Sequence, residues 1–170
     1  GDGAAWVWEN FRLTFPGAVE ILDFYHASEH VGQLAAAIHD DDPAQAAACR
    51  TRWCHDMKQD SPAALVAESR ALLDAHPGWS AAKRDAVQQE IDYLENHASR
   101  TAYGRYQANG WFIGSGVIEA GCKNVVGRRL KQSGMFWSEH GAEDILGLRC
   151  LVLGPHFDAA WKARRQLIAR

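Results

Sequence analysis

The chain is poor in cysteine, in long apolar runs and in positive charge, and each shortage excludes a class of protein. Its four cysteines form no C-x-x-C pair and lie in apolar helical patterns, which indicates reduced core thiols and excludes a zinc ribbon or a disulfide framework. The sequence has no apolar run of about 18 residues and no signal peptide, so we expect a soluble, cytoplasmic protein with no membrane partner. It opens on glycine without an initiating methionine, which we interpret as a piece cut from a longer protein.

Positive charge is concentrated near the C-terminal end. The formal net charge of −3 at pH 7 and the pI of about 6.2 exclude a polycation that binds nucleic acid over its whole surface. Residues 121–170 nevertheless hold nine lysines and arginines against four acids, and the acidic excess lies before them. Contact with nucleic acid must therefore come from local basic patches in this last part.

The spacing of apolar residues predicts one strand among many helices. The length of 170 residues, with 47% hydrophobic and 23% charged residues, fits a single globular domain. We expect a helix over about residues 4–14, and the β-branched run at residues 18–22 predicts a buried strand that ends at Asp23. Helical spacing follows, with Ser80 as one N-cap. The predicted buried faces hold Val31, Leu34, Ala35 and Ile38, then Ala46, Cys49, Trp53 and Met57, then Val87, Ile91, Leu94 and Ala98.

A glycine-serine-glycine sequence at residues 114–116 precedes a predicted helix, and one carboxylate, Glu119, lies in the first turns of that helix. A capping box that starts at Ser115 would need its acid at position 118, so helix-end chemistry does not explain Glu119. A carboxylate among cations is typical of a site where a metal ion meets a polyanion. The alternatives are a surface ion pair between Glu119 and Lys123, and a solvated basic helix face. The cations that follow Glu119 are Lys123, Arg128, Arg129 and Lys131.

Further candidate residues lie near the start of the chain. Asp2 lies in the turn Gly-Asp-Gly-Ala, and Asp23 and His26 follow the predicted strand. Together with Glu119 they indicate metal-dependent phosphoryl transfer on nucleic acid. His26 has two interpretations: it acts near the site on a metal, a water or a phosphate, or it is a buried histidine satisfied by Asp23.

The order of these motifs resembles a known family. It reads GDGA-x-W, FPGA-x-x-I-L-D-x-Y-H-A-x-E-H, IGSG-x-x-E-A-x-C-K and G-x-R-L-K-x-S-G-M-x-W. This order is similar to that of bacterial insertion-sequence transposases of the ISKra type, although over about residues 31–100 only the helical pattern matches. The resemblance implies an α/β fold, with a partial, N-terminally truncated RNase H-like DDE catalytic core and a large all-helical insertion, mostly α in this piece. The implied segments are a core segment at 1–30, the insertion at 31–108, and C-terminal core helices at 109–170.

The resemblance also implies an activity and a set of catalytic residues. The activity is metal-dependent cleavage and strand transfer of an insertion sequence in double-stranded DNA by a homo-oligomer. Asp2 matches the second catalytic aspartate, and Glu119 matches the catalytic glutamate. Asp23 and His26 match a D-x-x-H motif. The first catalytic aspartate has no match, so we expect this piece to be inactive alone.

The implied chemistry needs a metal site and a surface for DNA. In-line displacement at phosphorus uses two divalent ions about 3.5–4 Å apart, and Mg²⁺ or Mn²⁺ takes oxygen ligands. Asp2 and Glu119 would hold the two ions, so we expect their carboxylates within about 8 Å of each other. The DNA backbone would be held, without readout of sequence, by Lys123, Arg128, Arg129 and Lys131.

Two rival functions remain open. His26, Glu29 and His30 satisfy H-x-x-E-H, an inverted zinc-peptidase motif in which two histidines bind zinc and the glutamate activates water. The other rival is a non-catalytic helical binding module, which is favoured if Asp2 and Glu119 lie far apart. Tight zinc binding through the histidines indicates a peptidase, whereas weak Mg²⁺ or Mn²⁺ binding through carboxylates indicates a transposase.

Overall fold

A computed structural model describes residues 1, 3–59 and 62–168, and helices account for most of this chain. The described ranges contain ten α-helices, one 3₁₀ turn at Ala98–Arg100 and one π-helical turn at Cys122–Gly127. The α-helices are α1 Ala5–Thr14, α2 Phe24–Ile38, α3 Pro43–Gln59, α4 Ala63–Ala75, α5 Ala81–Asn96, α6 Tyr103–Ala108, α7 Gly116–Gly121, α8 Arg128–Leu130, α9 Glu139–Leu153 and α10 Phe157–Ile168.

The predicted strand and the α/β fold are wrong. Helices make up 74% of the chain, and neither a strand nor a sheet occurs among the described residues. Residues 18–22 form an extended segment that is bonded to single residues of other segments. The N–H of Leu22 donates to the carbonyl of Arg100 (3.0 Å), and the N–H of Asp23 donates to the carbonyl of Gly1 (2.7 Å). Because a strand needs a ladder of such bonds with a second strand, residues 18–22 do not form one, and the described residues show no α/β core of the RNase H type.

The chain divides into two compact units, Gly1–Ser115 and Gly116–Arg170. The first unit contains α1 to α6, and the second contains α7 to α10. The segments expected from the sequence, 1–30, 31–108 and 109–170, do not coincide with these units. The assignment of residues 31–108 as an insertion and of residues 109–170 as C-terminal helices with the catalytic glutamate stays a prediction.

The core of the first unit forms around α2, whose apolar face is buried against α3 and α5. Val31, Leu34 and Ile38 of α2 are spaced by three and four residues and are at most 4% exposed. The predicted faces of these helices are therefore confirmed, except that Ala46 is only half-buried and that Ala98 lies in the 3₁₀ turn and is exposed. Against this face lie the buried residues Cys49, Trp53 and Met57 of α3 and Val87, Ile91 and Leu94 of α5.

Side-chain caps determine where several helices begin. Ser80 accepts a hydrogen bond from the N–H of Lys83 (3.2 Å) and begins α5, which confirms the predicted N-cap. Ser138 caps α9 in the same way, and Asp23 caps α2 through the N–H of His26 (3.0 Å). Each cap satisfies an N–H that has no carbonyl partner within the first helical turn.

The described residues of the second unit are exposed or half-buried, and none of them is buried. In it α7, the π turn and α8 follow without a break, and we call this continuous segment the helical rod. Arg149 of α9 is hydrogen-bonded to the rod: its Nε donates to the carbonyl of Val125 (2.8 Å), and its Nη2 donates to that of Asn124 (2.5 Å). These two bonds hold the π turn against α9.

The helix lengths and the surroundings of the cysteines bear on two expectations from composition. None of the described helices has both the length and the apolar character that crossing a bilayer requires. All four cysteines are free thiols. Cys49 is buried and Cys54 half-buried, as the core pattern predicts, but Cys122 and Cys150 are exposed, so their predicted place in a core is wrong.

Candidate functional site

Asp23 connects two parts of the first unit that are far apart in sequence. Its residue surface is only 7% exposed. Oδ1 accepts the N–H of His26 at the start of α2 (3.0 Å), and Oδ2 accepts the N–H of Ser115, 92 residues further on. Both carboxylate oxygens thus bind backbone N–H groups, so Asp23 joins α2 to the glycine-serine-glycine loop.

The surroundings of Asp23 keep its carboxyl group ionised. Burial alone raises its pKa, but hydrogen bonds from His26, Ser115 and Tyr25 outweigh burial and hold the pKa below its ordinary value. Gly114 lies against the same group: a Cβ there would lie 3.1 Å from Cε2 of Tyr25 and 4.0 Å from Oδ2 of Asp23. Glycine therefore allows the loop to lie close against the ring of Tyr25, beside Asp23.

The ring of His26 lies beside groups other than the Asp23 carboxylate. Asp23 accepts a hydrogen bond from the backbone N–H of His26. The side chain of His26 is 35% exposed, with Nδ1 at 3.5 Å from Oε2 of Glu29. Its ring centroid is 5.1 Å from that of His30. The His26 ring is therefore not a buried group that the Asp23 side chain satisfies.

His30 belongs to a polar cluster between α2 and α5. Its Nδ1 lies 2.7 Å from Oε2 of Glu90, and its ring stacks on Tyr93 with centroids 3.5 Å apart. The ring of His97 follows, 4.6 Å from that of Tyr93. Burial lowers the pKa of His97, and the positive charge of Arg100 and of the neighbouring histidines lowers it further. The sequence gives no local pattern for this cluster, because His30 and Glu90 are 60 residues apart.

The remaining predicted site residues lie in the second unit. Glu119 is in the first turn of α7, as predicted, and is exposed. The guanidinium of Arg129 lies 5.5 Å from the ring centroid of Trp137. The helical rod, together with Lys131 after it, therefore exposes one carboxylate and several cations. The exposed cations are Lys123 in the π turn, Arg128 and Arg129 in α8, and Lys131 directly after it.

The expected metal site does not assemble from the described residues. Asp2 lies outside them, so its approach to Glu119 stays a prediction. Within the described ranges, no group of three histidine, cysteine, aspartate or glutamate side chains is placed to hold a metal ion. Asp23 binds backbone N–H groups, and His30 binds Glu90. The two-ion Mg²⁺ or Mn²⁺ site at Asp2 and Glu119 and the zinc site at H-x-x-E-H both stay predictions.

No protein-family model matches the chain, and neither a curated protein nor a solved structure matches it. The resemblance to insertion-sequence transposases therefore stays a prediction that rests on the motifs. These motifs are divided between the units, since Asp23 and His26 lie in the first unit and Glu119 with the cations lies in the second.

Proposed function

We propose that the chain is part of a DNA transposase and that the helical rod contacts the DNA backbone. One observation carries the proposal: the rod has the exposed Glu119 in its first turn and exposed cations in the turns that follow. The unit Gly116–Arg170 holds nine lysines and arginines against five acids, so its electrostatic field attracts a polyanion.

The π turn in the rod supports a functional use of this segment. Such turns are rare in helices and occur frequently at functional sites. This one spans Cys122–Gly127, between Glu119 and the cations of α8. Because Arg149 holds two of its carbonyls, the rod is fixed on α9, and Glu119 keeps a constant relation to Arg128 and Arg129.

The proposal gives separate roles to these residues. The cations of the rod, with Lys131, bind phosphates by charge and do not read sequence. Glu119, together with Asp2, would hold Mg²⁺ or Mn²⁺, and the bound ions would supply the positive charge that strand cleavage and transfer need; this role rests on the resemblance. Asp23 is a positioning residue, because its carboxylate holds the loop that leads to Glu119. We place the protein in the cytoplasm, on double-stranded DNA, as a homo-oligomer.

DNA binding by the full chain tests the role of the rod. In Arg128→Ala with Arg129→Ala, we expect the affinity for duplexes of unrelated sequence to fall equally. The slope of log affinity against log salt should flatten by about 0.9 per lost phosphate contact. Fluorescence anisotropy of labelled duplexes over a salt titration measures both quantities. The matched control, Arg70→Ala with Arg105→Ala, removes the same charge from the first unit. Equal losses in the two double variants would show that the rod is not the DNA-binding element.

Glu119→Gln tests the metal role, because glutamine keeps the shape of the side chain and removes its charge. Without divalent ions this variant should bind duplex DNA at least as tightly as the wild type, since a negative charge near the phosphates is lost. At constant ionic strength, Mg²⁺ or Mn²⁺ should strengthen binding by the wild type more than binding by the variant. The same metal dependence in both proteins would remove Glu119 from the proposed metal site.

A further inference from the structure

A cavity lies between α2 and α3 in the first unit. Its volume is about 550 Å³, within the range of small-molecule sites. The α3 residues that line this cavity belong to none of the sequence motifs described above. Its lining includes Phe24, Tyr25 and Ser28 of α2 and Arg50, Cys54 and Lys58 of α3.

The charge of this cavity differs from that of the unit around it. The first unit has sixteen acids against nine lysines and arginines, yet the described lining contains Arg50 and Lys58 and no acid. Arg50, Cys54 and Lys58 follow one another at intervals of four and so share one face of α3. Burial raises the pKa of the Cys54 thiol, and the charges of Arg50 and Lys58 both act against this rise. Both cations therefore act on a thiol that lies between them on this face of α3.

Each cation lies against α2 at a different position. Nζ of Lys58 is 4.4 Å from the ring centroid of Phe24. Arg50 lies beside Gly32, where an added Cβ would be 3.1 Å from its Nε. The α-carbons of Arg50 and Lys58 are about 12 Å apart along the axis of α3, since each helical residue rises about 1.5 Å. The cavity therefore has positive charge at both of its ends.

Tyr25 forms an aromatic wall at the edge of the cavity. Its ring packs edge-on against Phe24, with centroids 5.9 Å apart, and also lies against Gly114. Tyr25 is nevertheless 70% exposed. These two neighbours support the ring, and the exposed part of the ring remains accessible to a planar ligand.

From this geometry we infer that the cavity binds one nucleotide with an unpaired base, within a single strand of nucleic acid. The base stacks on Tyr25, and Arg50 and Lys58 hold the phosphates on either side of it. Aromatic faces combined with a positive groove are the usual means of binding single strands. An inorganic anion would use the cations and leave Tyr25 without a role, and a paired base has both faces covered by its neighbours. The site lies in the first unit and does not depend on the proposed role of the rod.

Binding of a fluorescein-labelled oligothymidylate to the full chain, measured by anisotropy, tests this inference. Tyr25→Ala should weaken binding about fivefold or more, whereas Tyr25→Phe, which keeps the ring, should stay within about twofold of the wild type. Arg50→Gln with Lys58→Gln should flatten the salt dependence by about 0.7 per lost phosphate contact. The control, Arg70→Gln with Arg105→Gln, removes the same charge outside the cavity and should leave the salt dependence unchanged.

Competition experiments distinguish a nucleotide from a simpler anion. Thymidine 5′-monophosphate should displace the strand better than thymidine or inorganic phosphate does. If phosphate competes equally and Tyr25→Ala binds like the wild type, the cavity is only an anion site and the inference is wrong. Equal competition by duplex DNA would also overturn it. Arg128→Ala with Arg129→Ala should retain the effect of the monophosphate, so a failure of the proposed rod function can be recognised separately.

Discussion

Asp23→Ala should strongly destabilise the first unit, because it removes the hydrogen bonds that join the start of α2 to Ser115. Loss of an N-cap costs about 0.5–2 kcal/mol. Leaving the N–H of Ser115 without its acceptor costs about 1–3 kcal/mol more. Asp23 is only 7% exposed, so water cannot easily replace both bonds. We therefore expect the free energy of unfolding to fall by about 2–4 kcal/mol.

Asp42 provides the matched control for this substitution. It is exposed, and its Oδ1 accepts the N–H groups of Ala44 (3.1 Å) and Gln45 (3.0 Å) at the start of α3. These bonds are local, so Asp42→Ala should cost only about 1 kcal/mol. Asp23→Asn should fall between the two alanine variants, because its amide oxygen can still cap α2 while its NH₂ group cannot accept the N–H of Ser115.

Urea unfolding followed by tryptophan fluorescence measures these differences. Trp8 and Trp53 are 5% and 1% exposed and lie in the first unit, so their emission reports its unfolding. Midpoints should shift without a change in the slope of free energy against urea. If Asp23→Ala costs no more than Asp42→Ala, the bond to Ser115 contributes no stability, and the assignment of Asp23 as a positioning residue is refuted.

The lowered pKa of Asp23 determines the pH range in which this effect is visible. The carboxyl group has a higher pKa in the unfolded chain, 3.8, than in the folded one. Its contribution to stability is therefore full above the unfolded pKa and is lost as the pH falls through the folded pKa. The difference between wild type and Asp23→Ala should be constant down to about pH 5 and should shrink below about pH 4.

Two further predictions concern packing and proton binding. Gly104→Ala should destabilise the first unit by about 1–3 kcal/mol, because the new Cβ would collide with the backbone carbonyl oxygen of Gln59. Gly78→Ala, whose Cβ would meet nothing within 4 Å, should leave the urea midpoint nearly unchanged, and equal midpoints for the two variants would contradict this reasoning. Burial and nearby positive charge lower the pKa of His97 in the folded protein, so the unfolded chain takes up a proton first as the pH falls. The folded state should therefore lose stability as the pH falls below about 6.5. His97→Gln should flatten the change in urea midpoint between about pH 7 and pH 5, and an unaltered pH profile would remove His97 as its cause.

Local patterns in the sequence were enough to predict most of the helices, although not α6, and much of their packing. The buried stripe of Val31, Leu34 and Ile38 follows directly from helical spacing, and the cap at Ser80 follows from its hydroxyl group. The place of Glu119 in the first turn of a helix was likewise predictable from the residues just before it. Helix hydrogen bonds join residues four apart, so the information that specifies a helix is present within a short window.

Contacts between distant segments were decided only by the tertiary structure. The run at residues 18–22 has the composition of a strand, but a strand also needs a partner strand, and the backbone of this run is bonded to single residues, Gly1 and Arg100. The bond from Ser115 to Asp23 and the cavity between α2 and α3 have the same origin. The bond and the cavity both depend on how one element packs against another. The spacing of residues within a single element carries no information about this packing. Hydrogen bonds along a helix can therefore be predicted from adjacent residues, whereas those between segments exist only after the chain has packed.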